Sequence, residues 1–232
     1  MAQEYVKKTA TAAGDDGQWG TWHTNFSFEC DPTKPPNPKI FMPLALFNYN
    51  EFLVFQDDFS TDKGWFQFSD STGAAGLQDG EYRLYNAKSG IVLRALAPLS
   101  SDAIPPSFSL QAQARRVSGQ GSQYGLVFNW QQSDRFYTFV ISPQEQSFSL
   151  WKLQNEWQQL ANGVSSAIHT GDKLNLLKIE RIGGEIRAYA NNTLLAVVYD
   201  STYTGGRLGL DLWAGDLPSE ARFDDFTIGK MP

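Results

Sequence analysis

Cysteine and histidine are nearly missing from this chain of 232 residues, which holds only Cys30, His23 and His169. A single thiol excludes an intramolecular disulfide and a thiolate zinc cluster, and two imidazoles exclude most histidine-based metal centres. Cys30 reads as an inert thiol. An exported protein can also be poor in cysteine, so this count leaves the compartment open. Charge is sparse: Asp, Glu, Lys and Arg make up 19% of the chain, and the net charge is −6. A phosphate backbone is neutralised by clustered Lys and Arg, so nucleic acid is not an expected partner. No apolar run approaches the roughly 18 to 20 residues that a transmembrane helix needs. The opening MAQEYVKKTATAAGDDG lacks the apolar core of a secretory leader, so no export signal is visible. No convincing helical pattern extends beyond a turn or two.

Aromatic residues are plentiful: 14% of the chain, with 7 Trp and 16 Phe, a composition suited to β-structure or to a ligand surface. Short alternating runs separated by polar clusters fill the chain from Phe52 onward. Within residues 124–160, Tyr124, Leu126, Phe128 and Trp130 share one parity and are expected on one face of a strand. Arg135 to Ser142 is apolar on both parities, which predicts a strand in the middle of a sheet covered on both sides. Gly183-Gly184 and Asn191-Asn192 suit the left-handed geometry of tight hairpins. About a dozen short strands joined by adjacent turns predict an all-β antiparallel sandwich.

The first fifty residues differ from the rest. Trp19, Trp22, Phe26 and Phe28 lie among small residues, and alternation at residues 25–28 hints at a strand. Residues 31–39, DPTKPPNPK, carry four prolines in nine positions and read as an extended linker. An apolar run follows at residues 40–47, with Ile40, Phe41, Leu44, Leu46 and Phe47. It reads either as a strand that completes a sheet or as one donated to another subunit. The expected division is an N-terminal extension, 1–50, and a sandwich domain, 51–232. The apolar run with Asn48-Tyr49-Asn50 resembles a segment that follows proline-rich spacers in exported Chloroflexota-type bacterial proteins.

The order of motifs in the larger part carries a second resemblance. Asp57-Asp58-Phe59-Ser60 with Gly64-Trp65, Gly80-Glu81-Tyr82-Arg83, Tyr124 to Phe128, Arg135 to Ser142 and Phe223-Asp224-Asp225-Phe226 together resemble concanavalin A-like, laminin-G-like jelly-roll domains. These occur in exported bacterial proteins and include the 3-keto-disaccharide hydrolase-like group. The resemblance implies a jelly roll with an extended N-terminal arm, placed outside the cell or on its surface, often in contact with glycans. It also implies a structural calcium ion, which would be held by Asp57, Asp58, Asp224 and Asp225 if the terminal strands meet. Laminarinase-type enzymes of this fold carry paired carboxylates as E-x-D-x-x-E. That spacing is missing here, and His169 has no nucleophile motif beside it.

Sugars are held by aromatic faces with amides, carboxylates and guanidinium groups around them. By parity, Asn129, Thr138, Trp151, Arg187, Tyr189, Asp211 and Trp213 are the candidate ligand contacts on the polar face of the sandwich. Trp151 and Trp213 could equally cap the edge of the core. Three functions follow as expectations: a non-enzymatic binding module for a glycan or other surface ligand, a structural subunit assembled through residues 1–50, and, with least support, a glycoside-processing enzyme.

Overall fold

The computed structural model describes residues 10–13, 19–22, 52–88, 91–216 and 218–231. They belong to two compact units, Met1–Phe47 and Asn48–Pro232. In the first, β1 (Ala10–Ala13) pairs antiparallel with β2 (Trp19–Trp22). The strand expected at residues 25–28, the linker 31–39 and the proposed assembly residues Ile40, Phe41, Leu44, Leu46 and Phe47 lie outside the described residues.

The second unit holds fifteen strands in two antiparallel sheets. In chain order they are β3 (Phe52–Asp57), β4 (Phe68–Asp70), β5 (Gly73–Gln78), β6 (Glu81–Asn86), β7 (Val92–Leu96), β8 (Phe108–Ser118), β9 (Gln123–Gln132), β10 (Arg135–Ser142), β11 (Ser147–Gln154), β12 (Glu156–Val164), β13 (Asn175–Ile182), β14 (Glu185–Ala190), β15 (Thr193–Tyr199), β16 (Arg207–Trp213) and β17 (Ser219–Lys230). A 3-10 turn at Ser101–Ala103 is the only helical element among the described residues. The smaller sheet runs β12-β11-β10-β9-β16-β7. The larger runs β15-β14-β13-β8-β17-β6-β5-β4, and β3 pairs with the far half of β17.

The alternation seen in the sequence fixes which side of each strand is inside. Tyr124, Leu126 and Phe128 of β9, Tyr137, Phe139 and Ile141 of β10, and Leu208, Leu210 and Leu212 of β16 are buried in the shared core. They meet Phe108 and Leu110 of β8, Ile179 of β13 and Phe223 of β17 from the larger sheet. Removing this apolar surface from water drives the two sheets together. The hairpins turn where the sequence indicates: Gly183 has φ 55°, and Asn191 and Asn192 have φ 50° and 65°, the left-handed values of tight β-turns. β10 occupies an interior position in its sheet, as its apolar parities predict.

The motifs at the two ends of the domain are structural locks. Asp57 is fully buried; its Oδ1 accepts from the Phe59 amide at 2.9 Å and its Oδ2 from Trp65 Nε1 at 2.8 Å. Phe59 is thereby held at φ 52° with its ring against Trp65 and Tyr82, and Trp65 packs edge-on against Phe226. Pairing of Asp57 with Phe226 brings the two aspartate pairs to one region, as expected. One carboxylate oxygen of each of the other three aspartates has a protein donor there. Asp58 takes the Ser60 hydroxyl, Asp224 the Asp225 amide and Asp225 the Gln113 side chain. Among the described residues no group of three or more His, Cys, Asp or Glu side chains is arranged to hold a metal ion.

Candidate functional site

The outer face of the smaller sheet departs most from an ordinary solvent face. Alternation places Arg94 of β7, Phe136 and Thr138 of β10, Trp151 of β11 and Asp211 and Trp213 of β16 on it, opposite the core residues of the same strands. Strand β9 joins this face through a defect. Asn129 takes φ 47°, and pairing with β16 jumps from Gly209↔Val127 to Arg207↔Trp130, three positions of β9 against two of β16. The extra residue turns Trp130 over, so it leaves the side of Tyr124, Leu126 and Phe128 and stacks on Phe136 at 4.6 Å. The single-face reading of those four residues is corrected accordingly.

The aromatic side chains of this face touch one another in sequence. Phe136 meets Trp157 edge-on at 5.7 Å, Trp157 meets Trp213 at 4.9 Å, and Trp151 meets Trp157 at 6.2 Å. The guanidinium of Arg94 lies 4.3 Å from the centre of the Phe136 ring and 5.6 Å from that of Trp130, within range of the negative face of each. Trp130, Trp151 and Trp213 are half-buried and Trp157 is 43% exposed, so an apolar surface with four indole rings is presented to solvent.

Beneath it sits Asp211, with no exposed surface. Its Oδ2 accepts from Thr138 Oγ1 at 2.8 Å and from Trp213 Nε1 at 2.8 Å. Arg94 Nε stands 3.2 Å from Oδ1, close enough for charge attraction but not aligned as a hydrogen bond, and Oδ1 has no other partner. Burial pushes the Asp211 carboxyl above the usual carboxylate range, and Arg94, Trp213 and Thr138 pull it back only in part. The strands pack closely here because two residues have no side chain. A Cβ on Gly125 would strike the Phe139 carbonyl, and one on Gly209 the Ala95 carbonyl.

The seven expected ligand contacts do not form one site. Thr138, Trp151, Asp211 and Trp213 share this face, joined through Trp157. Asn129 does not point onto it: buried at the bulge, it donates from Nδ2 to the Gly205 carbonyl at 2.7 Å. Arg187 and Tyr189 belong to the larger sheet, on its outward side, because Ile186, Ala188 and Ala190 of the same strand fill the core. There Tyr189 donates to Glu180 at 2.8 Å, and Arg187 is bonded to Glu185, in a ladder of solvated ion pairs. Arg94, Trp130, Phe136 and Trp157 were not among the candidates. Among the described residues of the six strands, carboxylates occur only at Asp211 and Glu156. Glu156 pairs with Gln154 one position before Trp157, so alternation turns it away from the tryptophan side.

No protein-family model matches the chain, and no curated protein does. Among solved structures it is similar to the carbohydrate-binding module CBM66 of Bacillus subtilis, with 18% identity, a TM-score of 0.57 and coverage of 72% of this chain and 96% of that one. It is similar to a β-glucanase of Bacillus licheniformis, with 11% identity, a TM-score of 0.56 and coverage of 76% and 97%. A third likeness is to the catalytic domain of an endo-1,3-β-glucanase (laminarinase) of Thermotoga petrophila, with 9% identity, a TM-score of 0.54 and coverage of 77% and 97%. At such identities the likeness concerns the fold: the chain is a galectin-like, concanavalin A-like jelly roll, an architecture on which both carbohydrate-binding modules and glycanases are built.

Proposed function

We propose that this protein is a non-enzymatic, extracellular glycan-binding module whose ligand stacks on the tryptophan face of the smaller sheet. The observation that carries this reading is the group of four partly exposed indoles, Trp130, Trp151, Trp157 and Trp213, packed over a single buried carboxylate. Indole rings offer large apolar faces to the C–H surfaces of a sugar at little conformational cost. Asp211 and Arg94 serve as the rigid floor that orients Trp213. The carbohydrate-binding module CBM66 shares the fold, which adds support for a sugar ligand. Glycosidic hydrolysis by the two-carboxylate route needs an acid and a base or nucleophile roughly 5 to 9.5 Å apart across the bond. Asp211 has no such partner among the described residues of this face, so the binding reading is preferred to a hydrolase.

A glycan array probed with the full chain and with Trp157→Ala tests the proposal. The expected result is retention of a defined group of glycans, with at least a ~10-fold loss of affinity in the variant, equivalent to about 1.4 kcal/mol. No glycan retained, or retention unaffected by the substitution, overturns it. Release of reducing ends from β-glucans would overturn the non-enzymatic part alone.

A further inference from the structure

A concavity lies at the end of the sandwich where three loops converge. The β9–β10 turn contributes Gln131, Gln132 and Arg135, the β11–β12 turn Gln154 and Asn155, and the β15–β16 loop residues 202–204. The cleft measures about 650 Å³. Its lining is amide, hydroxyl and guanidinium, with the edge of Tyr203 as the main apolar element. An apolar ligand entering it would leave these groups without partners, whereas a polyhydroxylated one would satisfy them.

The walls are fixed before any ligand arrives. Tyr203 donates its hydroxyl to the Leu153 carbonyl at 2.8 Å and its amide to Tyr137 Oη at 3.2 Å. Lys152 donates to Asp200 at 2.7 Å and to Thr202 Oγ1 at 3.1 Å, and the Thr202 amide donates to Asp200 at 2.8 Å. Arg181, fully buried, donates to the Tyr203 carbonyl at 3.0 Å. Gln131 is bonded to the Gly205 carbonyl. By contrast Arg135 and Gln154, paired across β10 and β11, are exposed, and among the described residues neither side chain has an ion-pair or side-chain hydrogen-bond partner. The loop is therefore held in place while the outermost polar groups of the cleft, Arg135 and Gln154, have no partner among the described residues, an arrangement that lowers the cost of binding.

Chain connectivity links this cleft to the tryptophan face. Trp130 immediately precedes Gln131, Phe136 immediately follows Arg135, and Trp157 is two residues beyond Asn155. The same two hairpins thus carry aromatic rings on one side and the polar lining on the other. We propose that the end cleft is a second saccharide subsite, which receives the hydroxyl-rich end of a neutral oligosaccharide whose other units stack on the tryptophans. The proposal rests on the binding reading given above and adds a length requirement: a chain long enough to round the end of the sheet binds more tightly than a short one.

The test is isothermal titration of the full chain with β-1,3-linked gluco-oligosaccharides of two to six units, or with the same series in whichever linkage the array retains. It is repeated with Trp157→Ala and with the double variant Arg135→Ala/Gln154→Ala, both of whose positions are exposed, and thermal melts verify folding. The wild type is expected to gain at least ~10-fold in affinity between the shortest and longest chains, the double variant to lose that gain while still binding the shortest, and Trp157→Ala to weaken both. An unchanged gain in the double variant, or no gain in the wild type, overturns the second subsite and leaves the tryptophan face standing. Absence of binding by every member overturns both.

Discussion

Trp157 of the edge strand β12 and Trp213 of β16 lie 4.9 Å apart although three strands stand between theirs. In a flat sheet four steps of about 4.8 Å would separate the two backbones by roughly 19 Å. Two side chains leaning toward each other do not close that gap alone, so the smaller sheet is curled toward the tryptophan side. The curl makes Trp213 answerable to two neighbours, Trp157 above and Asp211 below. Replacing Trp213 with Phe keeps the apolar packing and removes one donor to a fully buried carboxylate. The expected loss is about 1–3 kcal/mol of stability, read from urea unfolding with an unchanged slope.

Asp211 also sets a pH dependence. Its folded-state pKa lies above the ordinary 3.8, so between that value and the folded one the native state holds the proton more tightly than the unfolded state. Stability associated with this group is present below 3.8 and is lost as pH rises through the raised pKa. In Asp211→Asn that dependence is absent. The difference in melting temperature between wild type and variant should therefore shift in favour of wild type as pH falls toward 4, which a melt series from pH 3 to 8 measures.

Asp200 behaves in the opposite sense. Burial works against its charge, but hydrogen bonds from Lys152, Thr202 and Tyr137 outweigh that cost and hold its pKa below the ordinary 3.8. The stability it supplies is present above 3.8 and is lost as pH falls through the lowered value. Tyr137 is pushed up to about 12, first by burial and then by its bond to Asp200, and stays neutral throughout. Lys152 and Asp200 are 8% and 12% exposed at the side chain. Asp200→Asn leaves the ammonium buried without its counter-ion, and a loss of about 3–5 kcal/mol is expected at pH 7, shrinking in acid.

Gly125→Ala tests the close approach of β9 and β10. Its methyl group has the Phe139 carbonyl in its path, which is backbone and cannot swing aside. A loss of at least ~1–3 kcal/mol is expected by thermal melting, with dulled near-ultraviolet tryptophan signals as the face loses its packing.

The sequence foretold the fold more fully than the site, and particular residues show why. Alternation identifies a strand's two faces, so Thr138, Trp151, Asp211 and Trp213 were legible as one side of their strands. It does not say which sheet a strand joins, and Arg187 and Tyr189 were therefore grouped with residues they never approach. Parity also fails across a bulge. Asn129 and Trp130 exchanged sides because one asparagine adopts φ 47°, a conformation that asparagine tolerates but does not announce. Trp157 was missed for a third reason. Its membership depends on the curl of the whole sheet, a property of six strands together. The motif Asp57-Asp58-Phe59 with Gly64-Trp65 was informative about topology, since Asp57 pairs with Phe226 of the last strand, and its carboxylate is bound to its own turn and tryptophan.

Strand β17 pairs with β8 along one edge and with β6 and then β3 along the other. It is thus the middle of the larger sheet and the last strand in chain order. During synthesis every flanking strand emerges before the one that joins them. Until residues 219–230 are out, the two wings of that sheet have no common centre, and Phe223, Phe226 and Ile228 are missing from the core they complete. Assembly of this domain is consequently a late, nearly all-or-none event dominated by distant contacts. A ribosome stalled before Ser219 would hold open strand edges rather than a smaller folded protein, the kind of intermediate that chaperones shield.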